Sequence, residues 1–221
     1  MTPPALVLGR GGTHHARAMD PDARERIERA IRERFEAGDL HGAATAGLCG
    51  YGPEILGVLV SLHRDEAQAA EVFSEFTERL WRGLARFAWE SSFRTWAFTI
   101  ARNASRSHAE AARARAVSPL PSGSALSAIA EQVRTETLPY LRTEVKDGFA
   151  RLRQALPEDD QLLLVLRVDK DLSWNDVARV LRGDDGPLDP AAEKREAARL
   201  RQRFATLKRE LLERAREAGL A

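Results

Sequence analysis

Between Phe93 and Ala104 the large and small apolar residues fall at Phe93, Trp96, Ala97, Ile100, Ala101 and Ala104, a spacing of three and four that puts all six on one side of an α-helix. On a strand the same positions would scatter over both faces, so this segment is committed to a helix with one core-facing stripe. The behaviour recurs along the chain. Asp20 caps and Pro21 suits the first turn of a helix carrying Ile27, Ala30, Ile31 and Phe35, which Gly38 ends. Further helices are expected over Leu40 to Cys49, Pro53 to His63 and Gln68 to Phe87, and Ser91 or Ser92 supplies the cap of the Phe93 helix. No segment alternates as a strand does, and aromatics make up only 6% of the chain, too few for the aromatic and β-branched runs of a sheet. The fold class is all-α.

A chain of 221 residues accommodates two compact domains. Residues 1–20 hold Pro3, Pro4, Gly9, Gly11 and Gly12 without an apolar period and read as a flexible tail. A first helical domain spans 21–116. Pro119, Pro121 and Gly123 among serines mark 117–127 as a flexible linker, and a second helical domain follows over 128–221. In it, one or two helices over Ala128 to Gln154, broken or kinked near Pro139, precede helices over Pro157 to Val168, Ser173 to Arg182 and Pro190 to about Arg216.

Chemistry is conspicuous by its absence from the motifs. Gly9-Arg10-Gly11-Gly12 follows no strand and precedes no Lys-Ser/Thr, so it lacks the context of a phosphate loop. Cys49, the single cysteine, has no second thiol for a disulfide or a zinc site, and no paired histidines or nucleophile elbow occur. An enzyme is therefore not expected, nor a cofactor or metal. No stretch of the length and apolarity of a membrane span stands out, and a cytoplasmic protein without membrane insertion is the expectation.

Near-neutrality hides a strong segregation of charge. Residues 65–78 carry five acids and no base, whereas residues 79–115 carry eight arginines against two glutamates, and 190–221 carry nine bases against five acids. On the Phe93 helix, the face away from the apolar stripe reads Arg94, Phe98, Arg102, Ser105 and Arg106. Cations interleaved with an aromatic suit phosphates and an unstacked base, although a solvated basic face gives the same pattern.

Leu172-Ser173-Trp174-Asn175-Asp176-Val177 is a complete helix start, with Ser173 as N-cap, Asp176 closing a capping box and Leu172 packing on Val177. Gly183 ends that helix, and Asp189-Pro190 opens the next, whose core stripe is Leu200, Phe204, Leu207 and Leu211. Lys194, Arg195, Arg199, Arg201 and Gln202 lie opposite or beside the stripe. Such a pair is a helix-turn-helix whose second helix reads base edges, with Arg203 and Lys208 nearer the backbone, or else an ordinary αα-hairpin with a soluble outer face.

The two halves together resemble extracytoplasmic-function sigma factors of the sigma-70 family. The first-half likeness runs from Gly38-Asp39 through Tyr51-Gly52-Pro53 and Leu80-Trp81 to Ser91-Ser92-Phe93-Arg94-Thr95-Trp96 and Ile100-Ala101-Arg102-Asn103. The second half is similar at Leu156-Pro157, Asp171-Leu172-Ser173 and Leu200-Arg201-Gln202-Arg203-Phe204. What the resemblance implies is a factor that docks on core RNA polymerase through Glu71, Glu75, Glu78, Arg79 and Trp81. It implies that Trp89, Ser91, Ser92, Arg94, Phe98, Arg102 and Arg106 hold the melted −10 strand, and that the last helix reads the −35 element of promoter DNA. An anti-sigma factor is an admissible further partner. About a dozen residues, Gly183 to Glu196, separate the last two helices where the family has a tight turn, which either lengthens the recognition helix or covers it with a loop. The competing function is a stand-alone helix-turn-helix regulator, which leaves the acidic-then-basic first half without a purpose.

Overall fold

The computed structural model describes residues 19–114, 125–144, 152–183 and 189–218, and among the described residues the regular secondary structure is helical, with no strand. Residues 1–18 of the expected flexible tail, most of the expected linker and the 184–188 part of the last connection lie outside them. Helix α1 spans Pro21–Glu36, α2 Leu40–His63, α3 Glu66–Leu84, α4 Phe93–Ala114 and α5 Ala125–Glu144; α6 spans Glu158–Leu164 and runs into a π-helical turn at Val165–Asp169, and α7 (Trp174–Arg182) and α8 (Pro190–Glu217) complete the order.

Short polar side chains start these helices as the capping rules require. Asp20 accepts a hydrogen bond from the Ala23 amide, Asp39 from Gly42, Asp65 from Ala67 and Gln68, Ser173 from Asp176, and Asp189 from Ala191 and Ala192. At α4 the choice between two serines falls on Ser92, whose Oγ accepts from the Thr95 amide at 3.1 Å. The last helix begins at Pro190 rather than after Glu196, so of the two alternatives the described residues support a helix lengthened at its N-terminus.

Three elements differ from expectation. The two helices foreseen on either side of Pro53 are one, α2, with Pro53 inside it. A proline in a helix interior forfeits one backbone bond, but here the flanking apolar faces bury against several neighbouring helices, and that packing outweighs the lost bond. Of the break or kink expected near Pro139, the break is absent, and Pro139 lies inside the single helix α5. Third, α5 falls in the region assigned to the second domain, yet it packs on α2 and α3, with Val133 buried and close to Gly52. The packing partners thus change after α5 rather than at 117–127.

Helix α2 is the axis of the fold, packed against α1, α3, α4 and α5, with Ala43, Ala44, Leu48, Tyr51, Ile55, Leu56 and Leu59 all buried. By length and apolarity alone it could span a membrane, contrary to the sequence expectation, but most of its apolar surface is covered by the neighbouring helices. Its approach to α4 is close because Gly47 has no side chain: a Cβ there would sit 2.4 Å from the Phe93 ring. In the second half, α7 packs on α8 and on α4, while α6 touches α2, α7 and α8.

Candidate polymerase and nucleic-acid interfaces

The acidic residues expected to dock on polymerase stand together on the outer side of α3, whose inner side buries Val72, Phe73, Phe76, Leu80 and Leu84. Glu71 is exposed, 3.9 Å from His108. Glu75 pairs with Arg79 and Glu78 with Arg82 one turn on. Trp81 is 41% exposed, a large apolar side chain left at the surface, with His41 edge-on to its ring at 6.1 Å. Alongside, Arg134 of α5 donates to the Ser74 hydroxyl at 3.0 Å and the Ala70 carbonyl at 3.3 Å.

The loop before α4 is built around Trp89, at φ +58, a left-handed backbone that a bulky residue occupies only when its surroundings impose it. They do: the indole packs against Phe87 at 4.8 Å and Phe35 at 5.5 Å, and the Arg32 guanidinium lies 5.1 Å over it. Its ring N–H is buried without a hydrogen-bond partner. Ser92 is exposed and Ser91 partly so.

Helix α4 departs from expectation most. The face carrying Arg94, Phe98, Arg102 and Ser105 is not turned to solvent, because a second layer of chain covers it: Arg94 is 3%, Phe98 2% and Arg102 6% exposed, while Arg106 is exposed. The reason is polar complementarity that the helical period cannot reveal. Arg94 forks onto Glu54 of α2 and donates to the Lys170 carbonyl at 2.7 Å. Thr95 donates to Asp176 at 2.9 Å, Asn103 to the Gly183 carbonyl at 2.6 Å, and Arg102 lies 3.4 Å from Asp159. Ser105 bridges His63 at 2.9 Å and Glu158 at 3.1 Å. Burial lowers the pKa of His63, an effect that the Glu158 carboxylate opposes and His108 reinforces.

Glu28 and Glu54 were not foreseen in this region. The Glu28 carboxylate reaches from α1 to accept the Phe93 and Arg94 amides, both at 2.9 Å, and the Tyr51 hydroxyl at 2.9 Å, so it caps α4 from another helix. A capping residue 65 positions away leaves no local signal.

On α8 the expected stripe is confirmed on the inner side, with Leu200 and Leu207 buried and Phe204 and Leu211 partly so. Trp174 of α7 meets Phe204 edge-on at 5.4 Å. Arg195, Arg199, Arg201, Gln202 and Lys208 are exposed. Arg199 is held by Glu196 at 2.9 Å, which lowers the carboxyl pKa and raises that of the guanidinium; Arg201 lies 5.9 Å over the Trp174 ring and Lys208 5.8 Å over that of Phe204. Arg203 differs from the others: it forks onto the buried Asp160 of α6 and fastens α8 to the second-half core. Among the described residues no cluster of His, Cys, Asp and Glu could hold a metal ion.

Residues 50–115 match the Sigma-70 region 2 family. The matched stretch runs through most of α2, all of α3 and the Trp89 loop into α4. The chain is also 28% identical over 164 residues to the RNA polymerase sigma-H factor of Pseudomonas aeruginosa, covering 70% of this chain and 82% of that protein. Both likenesses support a sigma factor of the sigma-70 family, and the family match falls on the helices that carry the acidic face and the arginines of α4.

Proposed function

We propose that the chain is an RNA polymerase sigma factor of the extracytoplasmic-function type, which joins core RNA polymerase and directs it to specific promoters for transcription initiation. The observation that carries this reading is the match over residues 50–115, which coincides with the acidic outer face of α3, where Glu71 is exposed and Glu75 and Glu78 are half-buried in pairs with Arg79 and Arg82, beside the solvent-facing Trp81. An acidic helix face with an apolar side chain at its edge suits a basic protein surface, for which charge sets approach and the indole supplies the anchor.

On this reading Glu71, Glu75, Glu78, Arg79 and Trp81 contact the polymerase. Trp89, Ser91, Ser92, Arg94, Phe98, Arg102 and Arg106 hold the unpaired −10 strand. Helices α7 and α8 form the helix-turn-helix, with Arg195, Arg199, Arg201 and Gln202 toward the −35 bases and Lys208 toward the backbone. Arg203 was a further expected contact, but its fork onto Asp160 gives it a structural task first. The factor acts in the cytoplasm, carries out no catalysis of its own, and has core polymerase and promoter DNA as partners, with an anti-sigma factor as an admissible further one.

Co-elution with core polymerase at low salt, followed by in vitro transcription over a library of upstream sequences, tests the proposal. The expected result is stable co-elution and transcription from a defined promoter class. Failure to co-elute, with binding of promoter DNA by the chain alone, would instead establish a stand-alone helix-turn-helix regulator.

A further inference from the structure

Helix α1 lies outside the matched residues 50–115, yet one of its faces is turned to the loop that leads into α4. On the sigma reading above, on which this rests, we infer that Glu28 and Phe35 of α1 are positioning residues for −10 recognition: they hold the Trp89 to Ser92 loop in the shape that reads an unpaired base, and they act through the loop rather than on DNA.

The spacing sets up the contact. Glu28, Arg32 and Phe35 fall within about 60° of one another around a helix of 3.6 residues per turn. Ile27 and Ile31 sit on the adjoining face, where Ile31 is buried and Ile27 packs so closely on α2 that a Cβ at Gly50 would lie 2.6 Å from it. With α1 seated on α2 by its isoleucines, the neighbouring face meets the loop. Phe35 packs edge-on against Trp89 at 5.5 Å, and the Arg32 guanidinium lies 5.1 Å over the same indole. One to two turns earlier, Glu28 accepts the Phe93 and Arg94 amides at the loop's other end.

The loop needs such support. Trp89 has a left-handed backbone at φ +58, and its ring N–H is buried without an acceptor, two features that persist only where the surroundings impose them. Nor is Glu28 itself free to wander: the buried Tyr51 donates to it at 2.9 Å from α2. Burial, and then the Glu28 carboxylate, push the pKa of that hydroxyl up, so it stays a donor.

Helix α4 does not depend on Glu28 to form. Ser92 partners the Thr95 amide through its Oγ and the Trp96 amide through its carbonyl, each at 3.1 Å, and the stripe beginning at Phe93 and Trp96 is buried. What Glu28 adds is the fixing of Phe93 and Arg94, the first residues after the loop. It also occupies two amides that would otherwise attract a phosphate, which leaves the exposed Ser92 and the partly exposed Ser91 to meet a base.

The test uses holoenzyme reconstituted from core RNA polymerase and the full chain, as wild type, Glu28→Ala, Glu28→Gln, Phe35→Leu and Glu25→Ala. Each transcribes promoter libraries randomised at −10 and, separately, at −35, and the readout is the ratio of output from the preferred base to that from its replacements. Glu28→Ala is expected to lower the −10 ratio about fivefold, the lower end of what one base contact discriminates. Glu28→Gln, whose side-chain oxygen still accepts an amide, should restore most of it. Phe35→Leu should lower the ratio about twofold through the lost ring contact. The −35 ratio should stay at the wild-type value throughout, and Glu25→Ala, on the exposed side of the same helix, should change neither ratio. An even loss of output in Glu28→Ala with the −10 ratio intact makes Glu28 a residue of the fold alone and overturns the inference, as does a wild-type ratio at undiminished output. If core polymerase does not retain Glu28→Ala, Phe35→Leu decides, and an unchanged −10 ratio there overturns the inference. A wild type that gives no promoter-specific transcription brings down the sigma reading and this inference with it; a wild type that transcribes, with variants whose ratios do not move, brings down this inference alone.

Discussion

Arg94 and Glu54 lie 40 positions apart and meet as a two-point fork beneath the surface, with Nε 2.9 Å from one carboxylate oxygen and Nη2 2.5 Å from the other, the side chains 4% and 9% exposed. An arginine that sequence reasoning places on a DNA-facing surface is thus first a rivet between α2 and α4. Removing one partner leaves the other charged, buried and unpaired. Glu54→Ala is expected to cost about 3–5 kcal/mol of stability, measured as a shift in the urea midpoint at constant slope. By contrast Glu25→Ala, which breaks the exposed pair with Arg29, should change stability by less than about 1 kcal/mol. Equal effects of the two substitutions would refute the rivet.

Arg203 poses the same question for α8. Its fork onto Asp160 crosses from α8 to α6, and Asp160 is largely buried. Arg203→Ala is therefore expected to destabilise the fold by about 1–3 kcal/mol, the range for a lost charge-assisted bond with its acceptor left buried. Arg199→Ala, whose partner Glu196 is on the same helix and more open, should move stability little. Thermal melts of the two variants separate a structural arginine from an outward-facing one.

The helices were legible because their causes are local. Asp20-Pro21, Ser92, Ser173 with Asp176, Gly183 and Asp189-Pro190 each act within four residues of the end they define. The acidic face of α3 was equally legible, since an amphipathic period alone puts Glu71, Glu75 and Glu78 outside. The second covering of α4 was not. Glu54, Lys170, Asp176 and Gly183 reach that helix from 40 to more than 80 residues away in sequence, and no period within α4 distinguishes a solvated basic face from one matched by distant carboxylates and carbonyls. Pro53 misled for a related reason, because a local helix breaker was overruled by burial on several sides.

His63 gives a pH signature. Its ring sits where α2, α4 and α6 meet, bonded to Ser105, which also contacts Glu158, with His108 edge-on at 5.9 Å. Burial lowers its pKa below the ordinary value of 6.5, so the unfolded chain binds the proton more readily than the folded one. Stability contributed by the neutral ring is complete above 6.5 and is lost as pH falls through the lowered folded value. The wild type should therefore lose stability below pH 6.5 more steeply than His63→Gln, which cannot titrate. Parallel pH profiles of the urea midpoint for the two proteins would show that His63 titrates alike folded and unfolded.

The last prediction concerns what α8 reads. Leu200, Phe204, Leu207 and Leu211 fix its inner side, and at about 100° per residue Arg195, Arg199 and Gln202 then project from the far side, while Arg201 turns toward Trp174. Under the sigma proposal, Arg199 and Gln202 meet base edges, and Glu196 holds the Arg199 guanidinium in place before DNA arrives. A bidentate contact from such a side chain discriminates between bases by about 1–3 kcal/mol, whereas a phosphate contact adds affinity without preference. Arg199→Ala or Gln202→Ala should accordingly change which −35 sequences are used in a promoter library transcribed by the holoenzyme. Lys208→Ala should lower transcription evenly across the library and reduce the salt dependence of binding by about one unit of slope. If both classes of substitution lowered output evenly, α8 would hold the backbone alone, and the bases would be read by another part of the chain.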